Sequence, residues 1–124
     1  MNEDIYLLSE KDILDIHSNQ IELYGGQDGI RSHDLLDSAV HHVHAEFDGQ
    51  RIEIASAYIF HICQNHCFID GNKRTALASG LVFLDINGIE FNDPDERLYD
   101  MMIGVTEGKV TKEDIQKIIS ELSE

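Results

Sequence analysis

The stretch His66-Cys67-Phe68-Ile69-Asp70-Gly71-Asn72-Lys73-Arg74 leads directly into Thr75-Ala76-Leu77-Ala78-Ser79-Gly80-Leu81-Val82-Phe83-Leu84-Asp85-Ile86. Residues 66–71 follow neither the helical nor the strand period and read as a loop. From about Asn72 to just before Gly88 the chain reads as one helix, apolar on most sides. A helix hydrophobic all round is usually central in its fold. An all-α domain built around this helix is the expected architecture.

The flanking sequence supports that architecture. Ser9 with Asp12 three residues later forms an N-cap signature, followed by Ile13, Leu14, Ile16, His17, Ile21 and Tyr24 at mixed three-to-four spacing. Gly25-Gly26 stops this first helix, and residues 27–31 read as a loop. Ser32 or His33 opens a second helix carrying Leu35, Leu36, Ala39, Val40 and Val43. Asp48-Gly49 is a turn signal, so residues 45–51 suit a short hairpin or flap. A third helix is expected from about Ile52 to Asn65. Asp93-Pro94 reads as an N-cap with proline at the first helical position of a fifth helix. Thr111 with Asp114 opens the last. Ile5-Tyr6-Leu7-Leu8 and Ile89-Glu90-Phe91 are short strand candidates. There is no internal repeat or linker, so residues 1–124 form one domain, a compact bundle of about six helices.

Twenty-four acidic and nine basic residues give a net charge of −15. Duplex binding depends on neutralising phosphates, so a body this acidic disfavours direct nucleic-acid contact and anionic membrane. A basic protein partner would be attracted; a solvated acidic surface accounts for the charge equally well. No apolar run approaches the ~20 residues that span a bilayer, and residues 1–20 do not resemble a signal peptide. A cytoplasmic protein is expected. Cys63 and Cys67 are the only cysteines. Their spacing is not that of a redox or zinc pair, so they read as reduced, packed thiols. His41, His42 and His44 do not share one helical face and have no zinc-spaced companion, so they read as surface or core histidines. Met101-Met102 reads as core.

The chemistry concentrates in 66–74. A helix N-terminus presents unpaired N–H groups and a partial positive charge, which suits an anion. Gly71 allows close backbone approach, Lys73 and Arg74 add full charges, and the Asn72 amide could donate to a phosphate oxygen. Asp70 suits a magnesium ion shared with phosphate oxygens. His66 suits general-base work near neutrality. Phe68 can point inward and pin the loop. Cations in a first helical turn oppose the macrodipole, and such a local conflict is where function is expected. The acidic body does not forbid an anionic ligand. A charge pair at 4 Å is worth on the order of 4 kcal/mol at an effective dielectric of about 20. Exposed charges beyond about 8–10 Å are largely screened. The Walker pattern is absent.

At these residues the chain resembles the Fic/Doc family, whose motif reads His-x-Phe-x-[Asp/Glu]-[Gly/Ala]-Asn-[Gly/Lys]-Arg. Residues 66–74 match every defined position. The run from Asn72 to Leu77 and the Tyr24-Gly25-Gly26 turn look similar to the Doc branch, the death-on-curing toxins, and the resemblance spans essentially the whole chain. It implies a Fic/Doc fold and a protein-modifying phosphotransferase in a toxin–antitoxin pair. His66 would deprotonate a target hydroxyl and Asp70 would bind Mg. Gly71, Asn72, Lys73 and Arg74 would hold the triphosphate of ATP or another nucleoside triphosphate, with Lys73 and Arg74 also catalytic. Phe68 would anchor the loop, and the flap at 45–51 would align a target peptide. Lys73 and Leu77 stand where AMP-transferring Fic proteins usually carry glycine and arginine, and both are shared with Doc. Transfer of the γ-phosphate is therefore implied, with elongation factor Tu as target, translation arrest as outcome and a Phd-like antitoxin as partner. Gly71, where Doc usually has alanine, is a Fic-like trait. A Fic-type AMP transferase and a catalytically silent binding module are the alternatives. The inhibitory pattern [Ser/Thr]-x-x-x-Glu-[Gly/Asn] is approached only by Ser120 and Glu124, which lack its final residue.

Overall fold

A computed structural model describes residues 5–45 and 50–123. It contains α1 (Glu10–Tyr24), α2 (His33–Ala45), α3 (Arg51–Asn65), α4 (Asn72–Ile86), α5 (Arg97–Thr106) and α6 (Lys112–Leu122). Among the described residues no helix is long and apolar enough to cross a membrane. Of the expected flap, residues 46–49 lie outside the described residues, as does Glu124.

Local capping chemistry sets several helix ends. Ser9 Oγ accepts from the Asp12 N–H at 3.1 Å, while Asp12 accepts from the Ser9 N–H at 2.8 Å. Thr111 and Asp114 repeat the reciprocal pair at α6. Each pair satisfies two donors that a bare helix end leaves open. The fifth helix departs from expectation. It begins at Arg97, not at Pro94. The Glu96 N–H closes a turn onto the Asp93 carbonyl, and Pro94, whose fixed φ suits the second position of such a turn, is used there. Asp93 still caps the helix, from further back. Its carboxylate accepts from the N–H groups of Arg97 and Leu98 at 2.8 and 3.0 Å.

The strand candidates also fail: residues 5–8 bond to side chains instead of a neighbouring strand, and residues 89–91 gain only local or isolated backbone partners. Around Ile5–Leu8, Tyr6 exchanges two hydrogen bonds with the Asn87 amide, and the Tyr58 hydroxyl both accepts from the Leu8 N–H and donates to the Leu8 carbonyl. Phe91 forms only an isolated bridge with Ser123.

The centre of the molecule is α3 rather than α4. α3 packs against α2, α4, α5 and α6, and every residue from Ile54 to Ile59 is buried. α4 leaves Val82 and Ile86 exposed at 38% and 46%. What α4 contributes is close approach: a Cβ on Gly80 would lie 2.5 Å from Ile59 Cγ1 and 3.1 Å from the Ala55 carbonyl oxygen. Gly80→Ala should therefore lower the melting temperature. The ~1 kcal/mol of helix propensity gained is outweighed by overpacking that costs about 1–3 kcal/mol. A rise in melting temperature would show that the two helices can part freely.

Burial also disfavours ionisation of core groups. The Cys67 thiol is pushed up to about 11 and the Tyr58 hydroxyl to about 12, in both cases chiefly by burial. Cys63 is raised for the same reason. Unfolded thiols ionise near pH ~8.5 and phenols near ~10. The stabilising contribution is thus complete below those values and is lost as pH rises through the folded ones. Melting temperature should hold to about pH 8.5 and then fall toward pH 11, and Cys67→Ala should flatten the early part of that slope. Neither thiol should react with a thiol reagent in the native protein at pH 7.

Candidate active site

α3 ends at His66, which takes the left-handed conformation (φ 49°, ψ 55°). The chain turns there, crosses residues 67–71 and enters α4 through Gly71, also left-handed (φ 78°, ψ 18°). Histidine is among the few side chains that visit this region, and glycine does so at no steric cost.

The loop between the two helices is tied down along its length by the strip 27–32. The Ile69 N–H donates to the Gly29 carbonyl at 3.1 Å, and the N–H groups of Arg31 and Ser32 donate to the Cys67 carbonyl at 2.8 and 3.1 Å. The Arg31 guanidinium crosses the end of α3. Its Nε donates to the His66 carbonyl at 2.7 Å and its Nη2 to the Asn65 carbonyl at 3.1 Å. These two carbonyls lie in a last turn that has no intrahelical donor, so Arg31 also complements the negative helix end.

Phe68 points inward, 1% exposed, and stacks on the His17 ring at 3.9 Å between centroids with 6° between planes. Asn72 turns its amide back onto the loop. Oδ1 accepts from the Phe68 N–H and Nδ2 donates to the Phe68 carbonyl, both at 2.9 Å. The expected phosphate donor is also a clamp on the loop backbone, which leaves its main-chain N–H and the second Nδ2 hydrogen for an anion. α4 has no side-chain cap, which leaves the first-turn N–H groups of Asn72, Lys73 and Arg74 open.

Asp70 is exposed, and both its carboxylate oxygens are aimed by the backbone. Oδ2 accepts from the Gln27 N–H at 3.1 Å and Oδ1 from the Gly71 N–H at 2.8 Å. These two bonds, with Arg74 and His17 nearby, hold the carboxyl below the usual aspartate range. Gly26 makes room for it, since a Cβ there would lie 2.7 Å from Asp70 Oδ2. Arg74 donates to the Gly25 carbonyl at 3.1 Å and lies over the Tyr24 ring at 5.6 Å. Lys73 is exposed and forms no ion pair among the described residues.

These groups share one cavity of about 530 Å³. His66, Asp70, Gly71, Asn72, Lys73 and Arg74 line one side. Leu77, one turn further along α4, and the α5 residues Tyr99, Met102, Ile103 and Thr106 add to the lining. His66 and Asp70 therefore border a common space at the positive end of α4. That space has the size of a small-molecule site and combines an apolar wall with convergent polar groups.

The family model of the Fic/DOC family matches residues 7–84, more than half of the chain. The chain belongs to the Fic/Doc family. Among its relatives, the protein named protein kinase doc of Escherichia phage P1 is 31% identical over 108 residues, covering 84% of this chain and 85% of its own. Toxin Doc of Mycolicibacterium smegmatis is 38% identical over 72 residues, covering 54% and 55%. The matched Fic/Doc region ends within α4, so the α5 wall of the cavity lies beyond it.

Three residues that hold this Fic/Doc site escaped the sequence reading: His17, Gln27 and Arg31. Only His17 left a signal. It follows Ile13 and precedes Ile21 on the buried stripe of α1, and a buried polar group needs a partner. Two further histidines are engaged elsewhere: His42 Nδ1 lies 2.8 Å from the Ser38 carbonyl oxygen, and His44 Nε2 3.2 Å from that of Leu8. Among the described residues no three His, Cys, Asp or Glu side chains converge as a metal site.

Proposed function

We propose that this chain is a Doc-type toxin that transfers the γ-phosphate of ATP, or another nucleoside triphosphate, to a hydroxyl of a target protein. One observation carries the proposal: His66, Asp70 and the uncapped, cationic start of α4 open on the same cavity. The name of the phage relative points the same way.

The residues divide the work as follows. The N–H groups at the start of α4 cradle phosphate oxygens, and Lys73 and Arg74 balance their charge. Lys73 fills space that a smaller residue would leave to the phosphates, which favours presenting the terminal phosphoryl group. The His66 imidazole takes the proton from the target hydroxyl as the new O–P bond forms. The bond from the γ-phosphorus to the bridging oxygen breaks, and a nucleoside diphosphate leaves. Little covalent chemistry falls to the protein in such a transfer, so positioning and charge dominate.

The donor set suits magnesium. Each Asp70 oxygen accepts one backbone N–H and keeps further acceptor capacity, and magnesium is typically bound by one or two carboxylates plus substrate phosphates. When bound, the ion would neutralise charge on the phosphates. Elongation factor Tu is the target to examine first, and a Phd-like antitoxin acting in trans would restrain the enzyme.

The deciding experiment is incubation with α- or γ-labelled ATP and cell lysate, beside His66→Ala. Label from the γ position on a protein near the mobility of elongation factor Tu is expected. Label arriving only from the α position would make the enzyme an AMP transferase. Nucleotide binding with no labelled protein from either would make the chain a silent binding module.

A further inference from the structure

We infer that His17 is the positioning residue for the Asp70 carboxylate, acting through the peptide plane between Asp70 and Gly71. This rests on the assignment of Asp70 to the metal and phosphate site made above.

His17 is 2% exposed, although the other polar residues of its helix are exposed or half-buried. Its Nε2 lies 2.8 Å from the Asp70 carbonyl oxygen. A carbonyl only accepts, so Nε2 carries the proton and donates. The carbonyl of Asp70 and the N–H of Gly71 belong to one planar trans peptide, so fixing the oxygen fixes the direction of the N–H. That N–H donates to Asp70 Oδ1 at 2.8 Å. The chain of control therefore runs from the buried imidazole to the carbonyl, across the peptide plane, and back to the carboxylate. Gly71 is the place where such control is needed. With φ at 78° and no side chain, it offers little resistance to rotation of the preceding peptide. The Phe68 ring, stacked on His17, holds the imidazole in the orientation that makes the donation possible.

Two substitutions separate this role from simple core packing. His17→Phe keeps a ring to stack on Phe68 and removes the donor. His17→Gln keeps a donor near the same point and removes the ring. In the free protein the Gly71 amide resonance and its exchange rate report the peptide plane directly. In His17→Phe the resonance should move and exchange should quicken, and in His17→Gln both should stay near wild type. A second measurement is the magnesium concentration that half-saturates binding of a non-transferable ATP analogue. It should rise about tenfold in His17→Phe, the size usual for loss of a partner that orients a metal ligand. In His17→Gln it should stay within about threefold.

An unchanged Gly71 amide in folded His17→Phe would overturn the inference, as would a His17→Gln protein impaired as badly as His17→Phe. If His17→Phe does not fold, His17→Gln alone decides, since a pure packing role requires it to lose the Gly71 signature. Wild-type protein that binds no nucleotide at any magnesium concentration would instead sink the functional assignment. The Gly71 readout would still stand.

Discussion

Asn72→Ala should lower the melting temperature by about 10 °C or more, a larger loss than most single changes cause. The side chain is 9% exposed and makes two 2.9 Å hydrogen bonds to the backbone of Phe68. Removing it leaves a buried N–H and a buried carbonyl without partners, at about 1–3 kcal/mol each. Asn72→Asp keeps an acceptor for the Phe68 N–H but loses the donor, so an intermediate loss is expected. An amide that served mainly to hold a phosphate would behave in the opposite way. Its removal would leave stability intact and weaken nucleotide binding alone. Thermal denaturation of the free protein therefore decides between the clamp seen here and the ligand contact that the linear motif suggests. A melting temperature within about 2 °C of wild type, a shift worth under ~1 kcal/mol, would return Asn72 to the ligand.

The contrast between Asn72 and Asp70 shows what the linear motif could convey. Residues 66–74 are contiguous, so their gathering at a helix N-terminus follows from the loop-to-helix transition itself. Which way each side chain turns depends on residues far along the chain. The Asp70 carboxylate is aimed as it is because Gln27, 43 positions away, takes one of its oxygens, and because His17, 53 positions away, sets its peptide plane. Nothing local to the motif encodes either partner. The same division runs through the fold. The capping pairs Ser9 with Asp12 and Thr111 with Asp114 are three residues apart and were legible. The start of α5 was not, because Pro94 suits a turn as well as a first helical position, and tertiary context chose the turn. The central place of α3 was hidden too. Overall hydrophobicity favoured α4, whereas the small side chains Ala55 and Ala57, with Gly80 opposite, let α3 be covered from several directions. Ile5–Leu8 has strand-like composition, but its partners are the side chains of Asn87 and Tyr58, which no periodicity reveals.

His66→Asn should reduce phosphoryl transfer by about 10²–10⁴-fold, the range typical for loss of a positioned general base. The choice of asparagine matters. His66 has φ of 49°, a conformation that asparagine shares readily and most residues resist. The side chain is exposed, and Arg31 holds the backbone carbonyl rather than the ring. The substitution therefore spares the turn, and the melting temperature should stay within about 2 °C of wild type, under ~1 kcal/mol. Binding of a non-transferable nucleotide should persist, because the phosphate cradle is built from the first turn of α4 and not from the imidazole. Loss of transfer with folding and binding retained assigns His66 to the proton step. Transfer retained at near wild-type rate would remove it from that step, leaving the cavity as a phosphate site in which positioning and charge alone supply the catalysis.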